Sequence, residues 1–252
     1  MTDTTRSHLL ALAAHIGSAQ QMAILGEGNI SGMLGSGRFL VKASGTQLGA
    51  LKPDHLVEVE AAPLLEAMQH GTTLDDAAMK RLLLDARADA DALKPSVESL
   101  FHAWLLQIPS VQYVGHTHPV AVNQILCSPR AEDFATKRLI PDQVVYCGAA
   151  SVLVPYVDPG LTLAREIAQR VEAFRAQTGR VPKTILLQNH GLIALGEKHT
   201  DVIAALDMAE KAARIFVGAA ALGGPVFMDA HHVRRIDRRP DEHYRQRMLR
   251  ET

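Results

Sequence analysis

The chain has 252 residues, 26 Lys and Arg against 27 Asp and Glu, 47% hydrophobic residues, two Cys and 12 His. That length supports a sizeable α/β core. The formal net charge of -1 excludes a generally basic nucleic-acid binder, although Arg234, Arg235, Arg238, Arg239, Arg245, Arg247 and Arg250 crowd the C-terminus. No apolar run approaches a membrane span and no export pattern opens the chain, so a soluble, cytoplasmic protein is expected. Cys127 and Cys147 form no CxxC, which argues against a disulfide framework or a thiolate metal site.

In chain order, residues 5 to 24 read as an amphipathic helix with Leu9, Leu12, Ile16 and Ile24 near one face. Gly26 and Gly28 break it. Residues 38 to 43 alternate as a strand ending in the turn Ser44, Gly45, Thr46. Residues 56 to 60 form a second strand, and the Ala- and Leu-rich stretch 74 to 92 favours helix. Pro95 opens another helix with Ser96 as cap and Glu98 in its first turn, running to about Gln107. Strand 111–117, helix 119–126, strand 151–155 and helix 161–177 follow, the last with Gly179 just past its end. Strand 184–188 stops at Asn189, His190 and Gly191, where glycine lets the chain turn away. Residues 192 to 196 continue extended, and 201 to 222 form a long helix. No repeat or linker divides this series, so residues 1 to 252 read as one α/β domain with an Arg-rich tail from about 229.

The 12 His need an explanation beyond packing. His116 and His118 flank Thr117, and residues i and i+2 of a strand point to one side. Two imidazoles so placed can share a borderline ion such as zinc, which in catalytic sites takes three protein ligands and keeps one position open. His190, at the end of a buried strand, is the third candidate. Each alone is as readily a polar strand end; the three together raise one another's standing. Glu98 near a helix start is favoured by the dipole, and facing a metal it can act as ligand or general base. His102, one turn on, reads as a supporting or packing residue. His231 and His232 are discounted because neighbours on an extended chain diverge. His8, His15, His55, His70, His199 and His243 are isolated.

Gly28, Asn29, Ser44, Gly45 and Ser96 supply glycine turns, an amide, hydroxyls and a helix start, all suited to gripping an anion. No Walker A or Rossmann fingerprint accompanies them.

These motifs occur in the order and spacing of the class II aldolase/adducin family, which the chain resembles over roughly residues 8 to 225. The matching stretches are residues 28 to 31, 43 to 46, 95 to 98 with His102, 116 to 119, and 189 to 191. The family includes fuculose-phosphate and rhamnulose-phosphate aldolases, ribulose-phosphate 4-epimerase and related decarboxylases. The stretches around Lys42 and Val97 are most similar to the aldolase half of bifunctional rhamnulose-phosphate aldolase/dehydrogenases; no dehydrogenase half is read here. The resemblance implies a three-layer α/β/α fold with a mostly antiparallel central sheet, assembled as a homotetramer with interfacial active sites. It implies zinc, or another divalent metal such as manganese, on His116, His118 and His190. Glu98 then takes the catalytic acid/base role, and Gly28, Asn29, Ser44, Gly45 and Ser96 form the phosphate grip. Val97 stands where many members have a second serine, so one phosphate-directed hydroxyl is missing. Tyr146 and Tyr244 are loose candidates for the interfacial proton donors some aldolases use.

The activity implied is a zinc-dependent aldolase, a lyase of carbohydrate metabolism cleaving a C–C bond of a ketose-type, phosphorylated sugar through a metal-stabilised enediolate. A decarboxylase of a keto sugar acid and a sugar-phosphate epimerase share that intermediate and stay open. Glu98 replaces the Asp usual in the epimerases, and the intact His set leans against a non-catalytic adducin-like module.

Overall fold

A computed structural model describes residues 2–19, 22–70 and 73–239. The described residues form one seven-stranded sheet in the order β3-β2-β1-β4-β7-β6-β5. The strands are β1 (Asn29–Gly35), β2 (Arg38–Lys42), β3 (Leu56–Glu60), β4 (Tyr113–Thr117), β5 (Val152–Val154), β6 (Thr184–Leu187) and β7 (Gly191–Gly196). All neighbouring pairs run antiparallel except β5 with β6. The helices are α1 (Thr2–Ser18), α2 (Ala61–Gln69), α3 (Asp76–Asp85), α4 (Ser99–Leu105), α5 (Val120–Leu126), α6 (Ala131–Thr136), α7 (Pro141–Cys147), α8 (Leu161–Thr178), α9 (His199–Ala220) and α10 (Ala230–Asp237).

Strand periodicity sorts the core into two layers. Phe39, Val41, Val57, Val59, Val114, Ile193 and Leu195 pack on one side with α2, α4 and α8, through Leu64, Leu100, Leu105, Leu163 and Ile167. The intervening Leu40, Leu56, Leu192 and Ala194 pack on the other side with α1, α5 and α9, through Leu12, Ile16, Ile125, Val202 and Leu206. The sheet is thus buried on both faces, giving the three-layer α/β/α architecture.

Several boundaries depart from the sequence reading. Helix α1 ends at Ser18, and Ile24 is exposed rather than on its buried face. Helix α3 covers only ten residues, begun by the Asp75 side chain accepting from the Ala78 N–H at 2.7 Å, and residues 86 to 92 turn back toward β3. Helix α4 starts at Ser99 with Glu98 as its N-cap residue, so Glu98 lies before the first turn. Ser96 accepts from the Glu98 N–H at 3.3 Å, capping a turn ahead of the helix. Gly179 ends α8 in the left-handed conformation, as expected. His231 and His232 lie on α10, not on extended chain. His243, Tyr244, Arg245, Arg247 and Arg250 fall outside the described residues.

At the β6–β7 hairpin the expected role of glycine moves two positions. The left-handed turn residue is Asn189, with φ 55°. Gly191 instead opens β7, where a side chain would sit 2.5 Å from the Thr117 carbonyl oxygen. Glycine is needed there for close approach of two strands rather than for turning.

Arg138 is wholly buried. Its guanidinium donates to the carbonyls of Gly148, Phe134, Ala135 and Lys137 and to the Ser151 hydroxyl. No carboxylate pairs with it among the described residues, so carbonyl and hydroxyl dipoles hold its charge and knit α6, α7 and the start of β5 together.

Candidate metal centre and anion cavity

Three elements bring the imidazoles together. His116 lies in β4 between Asn29 of β1 and Ile193 of β7, and shares the face of Val114. His118 follows the strand end, its N–H held by the Met22 carbonyl at 2.9 Å. His190 sits in the β6–β7 turn, with its carbonyl accepting from the Asn123 side chain at 3.0 Å. Their ligand nitrogens all lie within 4.8 Å of one another. Glu98, at the start of α4, approaches the same point: its Oε1 is 3.2 Å from His116 Nε2 and 3.6 Å from His190 Nε2.

The donor set fits a divalent ion. His116 Nδ1 donates to the Leu192 carbonyl at 3.1 Å, which fixes the tautomer and leaves Nε2 facing the cluster. His116 Nε2 and His118 Nε2 stand 3.1 Å apart. Two ligand nitrogens on one tetrahedral zinc, with bonds of about 2.0–2.1 Å, are separated by roughly 3.3 Å.

Electrostatics agree with this arrangement. Burial and the charge of His116 press His118 down to about 4, against the opposing pull of Glu98 and Glu27. Burial and neighbouring His116 and His118 bring His190 to about 4 despite Glu98. Both rings are therefore neutral and ligand-ready near neutral pH. Burial opposes charge on His116, but the charge and hydrogen bond of Glu98, with help from Leu192 and Glu27, outweigh it and raise its pKa. Burial likewise opposes ionisation of Glu98, yet His116, His102 and His190 hold it well below the usual carboxylate range.

His102 is fully buried behind this group, stacked on Phe101 at 4.6 Å, with Nδ1 2.6 Å from the Ser31 hydroxyl. Burial lowers its pKa to about 3, against the attraction of Glu98. It stays neutral and acts through packing, as the sequence reading expected.

Beside the imidazoles lies a cavity of about 220 Å³, lined among others by Gly28, Ser44, Gly45, Ser96, Glu98 and His118. Four of the five residues expected to grip an anion therefore line one cavity with Glu98 and His118. Asn29 does not line this cavity. It is buried at the head of β1, where its Oδ1 accepts from the Ile30 N–H at 2.9 Å. Its Nδ2 has no partner among the described residues, an orphaned donor of the kind a ligand satisfies. Gly28 and Gly45 take φ of 74° and 78°, which only glycine adopts freely. Val97 lines the cavity too, so the missing hydroxyl would have faced it.

Among further cavity residues that the sequence reading did not single out are Lys42 and Glu27. Lys42 is 2% exposed. Alternation along β2 places it on the face of buried Leu40, and a cation on a buried face was the available signal. Glu27 sits between the two glycines of the turn, with Oε1 3.8 Å from His118 Nδ1. Tyr146 lines a different cavity, with Gly196 and Lys183, at the end of β7 opposite Gly191.

The comparisons with known proteins agree with this geometry. Residues 7–217 match the family described as Class II Aldolase and Adducin N-terminal domain. The chain is 27% identical over 219 residues, 86% of its length and 89% of the relative's, to a 3-oxo-tetronate 4-phosphate decarboxylase of Haemophilus influenzae. It is 31% identical over 160 residues, 62% of its length, to the uncharacterized oxidoreductase YuxG of Bacillus subtilis, of which the match spans only 20%. Among solved structures, an L-fuculose 1-phosphate aldolase superposes with a TM-score of 0.71 at 16% identity, covering 93% of this chain and 94% of that one. A sugar-phosphate aldolase from Thermotoga maritima superposes at 0.66 with 15% identity, covering 90% and 98%. No helix among the described residues is long and apolar enough to cross a membrane. By sequence over most of its length, and by fold, the chain belongs to the class II aldolase and adducin family.

Proposed function

We propose that the protein is a divalent-metal-dependent carbon–carbon lyase, an aldolase acting on a ketose-type, phosphorylated sugar. The observation that supports this most is the convergence of His116, His118 and His190 with Glu98, of which His118 and Glu98 also line the cavity. A zinc ion, or a manganese ion in its place, would be held by the three imidazoles and supply Lewis acidity to a substrate carbonyl, stabilising the negative charge released as a C–C bond breaks. Glu98 moves the proton. Its carboxylate is buried and ionised and lies within reach of the proposed ligand nitrogens, and an ion on His116 would compete for the nitrogen that Glu98 now faces. Gly28, Ser44, Gly45 and Ser96, which line the cavity, orient the substrate by its anionic end, with the unpartnered Asn29 amide beyond that lining as a further donor.

A second reading, decarboxylation of a phosphorylated keto sugar acid, is favoured by the decarboxylase relative that matches nearly end to end. Both reactions pass through the same charge distribution, so the same residues serve either. The test is a panel of sugar phosphates, free ketoses and phosphorylated keto acids on the zinc- and manganese-loaded protein. Aldehyde release supports the aldolase and carbon dioxide release replaces it with the decarboxylase. No turnover on the panel with either metal refutes both. We further propose a homotetramer with interfacial sites, consistent with exposed Leu25, Val120 and Tyr156 and tested by light scattering.

A further inference from the structure

His118 is held by the segment that leads from α1 into β1. Its backbone N–H donates to the Met22 carbonyl at 2.9 Å, and its ring faces Glu27, whose Oε1 stands 3.8 Å from Nδ1. The other ring nitrogen, Nε2, faces His116 Nε2 at 3.1 Å. Nε2 is thus the atom available to an ion shared with His116, and Nδ1 is the atom turned toward Glu27. His116 already has a fixing partner, the Leu192 carbonyl on its Nδ1. A metal-bound imidazole almost always donates its second N–H to a carbonyl, a carboxylate or water, which sets the tautomer and raises the basicity of the ligand nitrogen. At His118 the group in that place is the Glu27 carboxylate.

Glu27 is built to stay there. The turn from Ile24 to Glu27 is closed in both directions: the Glu27 N–H donates to the Ile24 carbonyl at 3.0 Å, and Glu27 Oε2 accepts from the Ile24 N–H at 3.0 Å. Gly28 follows, so close to β4 that a side chain on it would sit 2.8 Å from the His116 carbonyl oxygen. One carboxylate oxygen is therefore anchored to its own turn, and that turn lies against the strand that ends at His118. The other oxygen is left for the ring. Closing the turn needs only one acceptor, so it gives no reason for a second, anionic oxygen beside an imidazole. The 3.8 Å separation exceeds a hydrogen bond by about 0.6–1.1 Å, a gap that torsion of the half-buried glutamate closes.

We propose that Glu27 is a positioning residue: its carboxylate keeps the His118 ring proton on Nδ1 and so presents Nε2 to the metal. It acts through His118 and not on the substrate. This rests on the functional reading above and deepens it, adding to the three imidazoles a supporting carboxylate from the turn ahead of β1.

The test compares wild type with Glu27→Gln and Glu27→Ala. Gln keeps the size of the side chain and one acceptor. With its oxygen on the Ile24 N–H, its NH2 group faces His118 Nδ1, which must then accept, so the ring proton moves to Nε2, the atom an ion needs. Nitrogen NMR of the imidazoles in the metal-free protein near neutral pH should place the His118 proton on Nδ1 in wild type and on Nε2 in Glu27→Gln. A role confined to closing the turn would leave that tautomer unmoved. Competition with a metal chelator should show zinc affinity lowered by about 10- to 100-fold in Glu27→Gln. Glu27→Ala, which leaves Nδ1 to water, should lose affinity in the same direction, and it carries the comparison if the Gln variant does not fold. An unchanged His118 tautomer or an unchanged zinc affinity in Glu27→Gln overturns the role of Glu27 and leaves the lyase reading standing. Where only Glu27→Ala folds, wild-type zinc affinity in that variant does the same. If wild type itself takes up neither zinc nor manganese, the metal reading falls and the role of Glu27 falls with it.

Discussion

Replacing Gly191 by alanine tests the metal cluster without touching a ligand. The added methyl would lie 2.5 Å from the Thr117 carbonyl oxygen, 2.8 Å from His118 Cδ2 and 3.2 Å from His116 Cε1. Ordinary contact begins near 3.4 Å. Strands β4 and β7 must therefore part by about 0.9 Å at Thr117, or the His118 ring must retreat by about 0.6 Å. Metal–ligand distances tolerate only about 0.2 Å. The backbone at Gly191 is not left-handed, so the perturbation is steric alone. The expected loss of zinc affinity is about 10- to 100-fold, the range seen when support around metal ligands is disturbed. Destabilisation of about 1–3 kcal/mol from overpacking should accompany it. Competition with a chromogenic chelator reads the first and urea unfolding the second. Gly32→Ala is the control. Its methyl meets Thr5 Cγ2 at 2.7 Å and the Tyr113 ring, and no imidazole. It should lose stability while keeping zinc affinity. Wild-type zinc affinity in Gly191→Ala would mean that these three rings are not the ligand set.

Glu98→Gln keeps the side-chain shape but removes the base, so turnover should fall by roughly two to four orders of magnitude with zinc content retained on the three His; normal turnover would remove Glu98 from the chemistry. Arg138→Gln strips most of the donors from four carbonyls and a hydroxyl. It should cost about 3 kcal/mol or more and lower Tm by roughly 6–12 °C, and an unchanged melting curve would contradict the structural role of that buried charge. Acid stability of the metal-free protein follows from His102, held at about 3 against an ordinary 6.5. Between those values the unfolded chain takes up a proton that the folded chain refuses, so stability is full above pH 6.5 and declines as pH falls toward 3. The slope is up to about 1.4 kcal/mol per pH unit for such a group. His102→Gln should flatten urea midpoints across that window, and an unaltered pH dependence would show that His102 is protonated in the fold.

The parts of this molecule that were legible in advance are those where one residue type has one physical use. Helix α8, with Gly179 left-handed at its end, and strand β3, with its apolar alternation, lie where the sequence places them. The three His were traceable because an i, i+2 pair on a strand has a definite common side. Less was readable where a tertiary neighbour decides. Gly191 looks like a turn former in sequence, and only the approach of Thr117 shows that it is a spacer. Glu98 as a helix opener says nothing of the two imidazoles it faces. Lys42 was hidden because a lysine ending a strand normally marks solvent. Helices α6 and α7, six and seven residues long, are too short for periodicity to declare them.

The seat of His116 within the sheet bears on how the protein would acquire a metal ion. Its ring points to the α4 layer only while His116 is paired with Asn29 on one side and Ile193 on the other. A slip of one residue in β4 would turn that ring toward α9 and bring Thr117 to face Glu98. His190 joins the cluster only once the β6–β7 hairpin has docked, with β7 in register beside β4. Capture of an ion by all three rings would therefore be a late event in folding. It would reward one strand alignment over its neighbours, so the cation would act as a check on register before taking any part in chemistry.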